Sequence, residues 1–430
     1  MMSLPWTVRA RTVAVALSTL FSLLPAAQQA TAADDPASQC ASEWVYFGTQ
    51  TLRPPGGAGG APDTGYGIFG ARFDAQTGHL TGLGPVAEIV RPTWLLAHPS
   101  LPILYSVTEI GNDASIEASV FSLAADTVTG KLHEVNKVDS GGDGATYLAL
   151  DSTSLTLFVA NYGSGQVSAL PIMADGSLGA PASVRRDYGF GPNPRQKSPH
   201  AHSVALDPSH HFVLVPDLGA DRIFVYRFDP ATRQLTQADR AYEPLPAGSG
   251  PRHLVFHPGG RFVILDTEFS AEVRIYRWDA RHGLLKLVQT LPTAAANYKG
   301  QNSAAEVAIS RDGRFVYVSN RGEDTLVVYS MSPGTGMLSE VQRISSPGKG
   351  PWSFAIHPGG HWMLVANQAS NSIAVLQVDP KTGMLSPTSE GLSVPKPSNV
   401  TFPSGQAGHC ATAWAPRPRR QGWVGALAVR

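Results

Sequence analysis

A pattern of two apolar, strand-length runs joined by a tight turn recurs six times in this 430-residue chain. The clearest copy starts at Gly250-Pro251-Arg252-His253, turns at His257-Pro258-Gly259-Gly260 and returns through Phe262–Leu265 to Asp266-Thr267-Glu268. The residues that close the first run are His98, Asp151, Asp207, His257, Ser310 and His357, at steps of 53, 56, 50, 53 and 47. A second signature, Asp-x-x-Thr-Gly-x-Leu, marks turns at Asp74–Leu80, Asp126–Leu132 and Asp379–Leu385, with a relative at Met331–Leu338. The 43 glycines and 34 prolines are scattered as turn punctuation, which favours many short elements over disorder. Each unit holds about four strand-length runs and no 3.6-residue periodicity. A single four-stranded sheet cannot bury both faces, whereas sheets packed around an axis bury one another. A period near 50 therefore predicts a β-propeller.

Six internal units leave strand material over at both ends, in Val45–Phe73 and in Gly391–Phe402. Pairing the two ends completes a seventh blade and removes the open edge of the ring. Residues 44–402 then divide into seven blades of about 51 residues, in agreement with the period. The expected fold is all-β: a seven-bladed β-propeller of four-stranded antiparallel blades, closed by the N- and C-terminal strands.

Outside the repeat, Arg9 and Arg11 precede an apolar run from Thr12 to Ala27, and Ala30-Thr31-Ala32 supplies a small-x-small cleavage pattern. Residues 1–32 read as a signal peptide, 33–43 as a linker and 403–430 as a weakly ordered tail. The apolar run is shorter than the roughly 18 residues that span a bilayer, so the expectation is a periplasmic or secreted protein without a stable membrane anchor. Cys40 and Cys410, one near each end, are either a disulfide or two free thiols; ring closure favours the disulfide. Lys+Arg and Asp+Glu balance at 33 each, which removes the electrostatic case for a nucleic-acid partner. The sequence contains no G-x-S-x-G elbow, no H-E-x-x-H and no Walker A loop, and no cofactor or metal is expected.

In a propeller, polar residues at the ends of inner strands gather around the central channel, where residues distant in sequence meet. That filter selects His200, His202, Asp217, Arg252, His253, Glu268, Glu306, Arg321 and Glu109. Hydrolysis at a carbonyl carbon needs an activated water and stabilisation of an oxyanion. Glu268 or His202 fits the base, and Arg252 or Arg321 fits the oxyanion or carboxylate clamp. Structural alternatives stand beside these roles. Arg252–Glu268 reads equally as an ion pair between strand ends, and Arg321 as a tether for Glu306 or Asp324. His98, His257 and His357 share one turn position and read as structural.

Several segments resemble the seven-bladed propeller lactonase family, which includes propeller-type 6-phosphogluconolactonases and carboxymuconate lactonising enzymes. They are Tyr46-Phe47-Gly48-Thr49, Ser198-Pro199-His200-Ala201-His202, Val215-Pro216-Asp217, Gly250-Pro251-Arg252-His253 and Phe315–Gly322. The resemblance implies a lactone hydrolase with His202, Arg252, Glu268 and Arg321 as catalytic residues. His200, Asp217, Glu306 and Glu109 then line the substrate, a small sugar or carboxylated lactone, in a monomer or weak dimer. Gly350-Pro351-Trp352-Ser353 departs from the Gly-Pro-Arg-Asp common in that family and removes a positive charge, which argues against a phosphorylated substrate. The alternative class is a non-catalytic binding propeller built on Tyr-Val-Thr-Asn repeats, which Phe315–Tyr329 also resembles.

Overall fold

The computed structural model describes residues 42–53, 65–111 and 118–403. The expected signal peptide, Cys40, Cys410 and all of the tail but Pro403 lie outside the described residues. Within them the chain forms seven four-stranded antiparallel sheets and no helix.

Numbering blades from the first strand of the chain, blade 1 orders Pro397–Thr401, Ser42–Thr49, Ile68–Asp74 and Leu80–Ala87. Blade 2 comprises Leu95–Ala97, Ile103–Val107, Ser119–Ala125 and Leu132–Asp139, and blade 3 Ala145–Asp151, Thr156–Asn161, Gln166–Pro171 and Ser183–Arg186. Blade 4 is Ala205–Leu206, Phe212–Asp217, Arg222–Asp229 and Gln234–Pro244. Blade 5 is Pro251–Phe256, Phe262–Thr267, Glu272–Asp279 and Leu284–Pro292. Blade 6 is Ala304–Ile309, Phe315–Asn320, Thr325–Met331 and Leu338–Ser345, and blade 7 Pro351–Ile356, Trp362–Asn367, Ser372–Val378 and Leu385–Ser393. In each blade the first-named strand is innermost.

Blade 1 is a composite, as the leftover ends of the sequence predict. Its inner strand comes from the far end of the chain and pairs Tyr46 with Thr401, Phe47 with Val400 and Gly48 with Asn399. The same strand reaches into blade 2: Ser398 Oγ donates to Thr93 O at 3.0 Å, and Thr401 Oγ1 donates to Leu95 O at 3.0 Å. Seven hydrophobic clusters hold the ring, one at each boundary between neighbouring blades. The second strands contribute to every cluster, and those of blades 2 to 7 are buried along their whole length, Phe262–Thr267 among them. Such strands lack polar alternation because both faces meet a neighbouring blade.

The repeated turns add a second connection between blades. In the third-to-fourth strand turn, Asp74 Oδ1 accepts the Gln76 and Thr77 N–H groups at 2.7 and 3.2 Å, and Gly78 has a φ of 79°. That left-handed glycine abuts an aromatic ring at or near the start of the second strand of the previous blade. Gly78 meets Trp362, Gly130 meets Trp44, Gly283 meets Phe212, Gly336 meets Phe262 and Gly383 meets Phe315. The inner turns are capped by the residues the spacing aligned. His257 and His357 accept the Gly259 and Gly359 N–H groups through Nδ1, and Asp151 accepts Thr153 in the equivalent place.

A methyl at Gly336 would require left-handed backbone from an L-residue and press into the Phe262 ring, whereas one at Gly334 meets nothing. We expect Gly336→Ala to cost about 2 kcal/mol or more in denaturant unfolding, and Gly334→Ala less than about 0.5 kcal/mol.

Candidate active site

The inner strands and the loops after the second strands meet at one mouth of the channel, and Glu268 is the hub there. It follows the second strand of blade 5 and is 3% exposed. Arg252 lies beside it on the inner strand of the same blade, 1% exposed, with Nε 3.2 Å from Glu268 Oε2. Arg321, at the matching position after the second strand of blade 6, places a guanidinium nitrogen 2.9 Å from the same oxygen. A third guanidinium, that of Arg195, pairs with Glu268 Oε1. Three cations from three segments thus share one carboxylate. Burial alone would push the Glu268 carboxyl up, but Arg321, Arg252 and Arg195 outweigh it and hold the group well below the usual carboxylate range. Removing that carboxylate would leave buried guanidiniums unpaired, a loss on the order of 3–5 kcal/mol.

Further in, Arg252 donates to Ala305 O and to His253 Nε2, the latter at 3.2 Å. A guanidinium only donates, so His253 Nε2 accepts and Nδ1 carries the proton directed at Glu306, 3.0 Å away. Asp266 accepts the His253 backbone N–H at 2.7 Å. Burial pushes the carboxyls of Asp266 and Glu306 up to about 8, against the partial pull of Arg252. Both are therefore mainly neutral at pH 7, so around Glu268 three guanidiniums face one ionised carboxylate.

A run of rings adjoins these cations. Trp94 packs on Tyr147 with centroids 4.2 Å apart, and Tyr147 lies 4.9 Å from His253. His253 lies 5.3 Å from His202, and His202 5.5 Å from Tyr162. Burial, aided by Arg252 and His253, holds the His202 imidazole well below the ordinary histidine range, so it is a neutral free base. Its Nδ1 has no partner among the described side chains and backbone. Trp352 closes the cationic side, with its ring centroid 4.2 Å from the Arg321 guanidinium carbon and 5.7 Å from that of Arg252.

The structure therefore brings His202, Arg252, Glu268 and Arg321 into one cluster, with Glu306 joined through His253. Arg321 tethers Glu268, and not Glu306 or Asp324; Asp324 pairs with Lys349. His200 and Asp217 stand at the edge. Asp217 Oδ1 accepts the N–H groups of His200, Gly219 and Ala220 at 2.8 to 2.9 Å and shapes the loop. His200 stacks on Tyr162 at 4.4 Å. Glu109 pairs with Arg91 at 3.2 Å. Thr267, and not Asp266, occupies the strand-end position of Asn161, Asp217, Asn320 and Asn367, which turns Asp266 toward the channel strand. Arg195, Tyr162, Trp94 and Tyr147 were outside the charged-strand-end filter. Among the described residues no group of three or more His, Cys, Asp or Glu is placed to hold a metal ion.

Fold and mouth together define a seven-bladed propeller with a cationic, aromatic-lined channel mouth. The family model described as "Lactonase, 7-bladed beta-propeller" matches residues 45–402. The chain belongs to this family of lactonase-type hydrolases. It is 30% identical over 293 residues to a Bacillus subtilis 6-phosphogluconolactonase, covering 68% of this chain and 81% of that one. It is 31% identical over 322 residues to a 6-phosphogluconolactonase of Formosa agariphila, covering 73% and 86%. Among solved structures, a Pseudomonas aeruginosa periplasmic gluconolactonase matches at 36% identity with a TM-score of 0.77, covering 84% of this chain and 99% of that one. A putative 6-phosphogluconolactonase of Bacteroides fragilis matches at 29% identity and a TM-score of 0.76, covering 86% and 99%.

The raised carboxyls give stability a pH dependence of known sign. Unfolded Asp and Glu ionise near about 4; folded Asp266 and Glu306 ionise at about 8. Between those values the folded state holds the extra protons, so both groups make stability fall as pH rises, by up to about 1.4 kcal/mol per pH unit each. Urea unfolding of Glu306→Gln between pH 5 and 8 should show a shallower decline than the parent protein.

Proposed function

We propose that this chain hydrolyses a sugar-type lactone at the Glu268 mouth. The observation that carries the reading is the convergence of Arg195, Arg252 and Arg321 on one buried carboxylate beside a neutral histidine. A carboxylate held this far down by three guanidiniums is a poor proton acceptor, so we assign water activation to His202 and give Glu268 the orientation of the arginines. Water oxygen attacks the lactone carbonyl carbon while its proton passes to the His202 imidazole. The carbonyl becomes an oxyanion facing the guanidiniums of Arg321 and Arg252. Its collapse breaks the ring carbon–oxygen bond, and His202 returns the proton to the departing oxygen to give the hydroxy acid. The aromatic wall from Trp94 to Tyr162 suits the apolar face of a pyranose ring.

The substrate class draws support from the relatives, two of which carry the name 6-phosphogluconolactonase and one gluconolactonase. Export is part of the proposal. The Arg9–Ala32 segment has the composition of a signal peptide, and the periplasmic gluconolactonase is a relative of the folded part.

Acid release from glucono-1,5-lactone, followed by pH-stat, tests the assignment. Arg321→Ala should lower kcat/KM by about 10²-fold or more, while Arg227→Ala, which removes an exposed ion pair with Asp239, should leave it within about twofold. Equal rates for all three proteins would remove the proposed role. Because the His202 imidazole is held low, kcat/KM should stay on its plateau as pH falls through 6.5. An acid limb near that ordinary histidine value would contradict His202 as the base.

A further inference from the structure

The third cation of the mouth differs from the other two. Arg252 and Arg321 are buried, at 1% and 12% exposure, whereas the Arg195 side chain is half exposed. It comes from the connection between the fourth strand of blade 3 and the inner strand of blade 4, outside the repeated unit. That connection is tightly held. Gln196, fully buried, donates through Nε2 to Leu218 O and to Asp221 Oδ1, each at 2.8 Å. Gln196 Oε1 accepts the Asn193 N–H at 3.0 Å, and the Arg195 N–H is bound to Asn193 Oδ1 at 3.0 Å. Pro192 and Pro194 stiffen the same segment. The arginine is thus presented at the lip of the channel by a braced loop. Its guanidinium touches Glu268, donates to the Tyr162 hydroxyl at 3.0 Å and lies 5.2 Å from the Phe269 ring centroid.

Glu268 already has two buried guanidiniums, so its charge is over-compensated without Arg195. A buried cation would keep its carboxylate; a half-exposed one can exchange it for another anion at low cost, because water screens the pair. We propose that Arg195 is a specificity-determining residue that selects lactones bearing an anionic substituent, carboxylate or phosphate, away from the ring carbonyl. The substituent takes a guanidinium edge of Arg195 at the lip while the carbonyl lies deeper, at Arg321 and Arg252. This rests on the reading of the mouth as a lactone site, and it narrows the substrate class.

Calorimetric binding of three open-chain acids separates the two claims, since it needs no turnover. Gluconate carries one anionic group, glucarate a second carboxylate and 6-phosphogluconate a phosphate. We expect the wild-type protein to bind at least one doubly anionic acid about tenfold more tightly than gluconate, and Arg195→Ala to lose that preference. Whichever acid gains identifies carboxylate or phosphate as the substituent. Equal affinity of the wild-type protein for all three acids, or a preference that survives Arg195→Ala, overturns the proposal. In turnover, Arg195→Ala should bind the phosphorylated gluconolactone less well, with a raised KM, so that kcat/KM for this substrate falls relative to gluconolactone. An equal fall in kcat/KM for both lactones would mean that Arg195 acts only by holding Glu268, and would also overturn it. A wild-type protein that binds the acids selectively yet hydrolyses neither lactone would count against the proposed reaction and leave the Arg195 selection standing.

Discussion

Everything at the channel mouth depends on ring closure, and ring closure depends on one strand. Pro397–Thr401 returns to pair with Ser42–Thr49 and completes blade 1 with residues from opposite ends of the described chain. Without it, blade 1 would lack its inner strand, and the contacts of Ser398 and Thr401 with blade 2 would go with it. A ring of sheets keeps its blades at fixed angles only when it is closed. Arg252, Glu268, Arg321 and His202 come from three blades or their loops, so their separations are properties of the ring. The glycine–aromatic contacts between blades act in the same direction at the periphery.

Given that frame, the mouth sorts its ionisable groups by environment. Glu268 lies among guanidiniums and stays ionised, whereas Asp266 and Glu306, equally buried but less well compensated, are pushed up to about 8. His202 and His253 are driven the other way, since burial and the neighbouring arginines both oppose a second positive charge. One polar region thus holds an anion, two neutral acids and two neutral imidazoles at the same pH. A surplus of fixed positive charge beside an uncharged base suits chemistry in which negative charge develops on a bound oxygen.

Much of this was legible in the sequence because repetition is a physical record of packing. Each copy of the two-strand pattern serves the same interface between blades, so the period, the blade count and the completing role of the ends follow from it. The site was legible where it breaks the repeat: Arg252, Glu268 and Arg321 are charges where the other copies carry uncharged side chains such as Ala305, Tyr162, Leu218 and Gln368. Arg195 escaped because it lies in a connection with no counterpart to be compared with. Trp94 and Tyr147 escaped because aromatic residues at the ends of inner strands look like core. The channel-facing position of Asp266 is likewise not marked in the sequence. Its strand is buried on both faces, so no alternation marks which side chains face the channel. Trp352 removes a positive charge from the mouth, and Arg195 brings a guanidinium to it from another element.

The proposed reaction requires that Arg321 and Arg252 receive a lactone carbonyl beside His202. A crystal structure with gluconolactam, whose ring amide replaces the hydrolysable ester, tests this most directly. The lactam ring should lie in the Glu268 mouth, with its carbonyl oxygen within about 3 Å of an Arg321 or Arg252 nitrogen and its ring against Trp94, Tyr147 and His253. A lactam bound between blades 6 and 7 around Phe315, Tyr317 and Pro358, with the Glu268 cluster untouched, would contradict it.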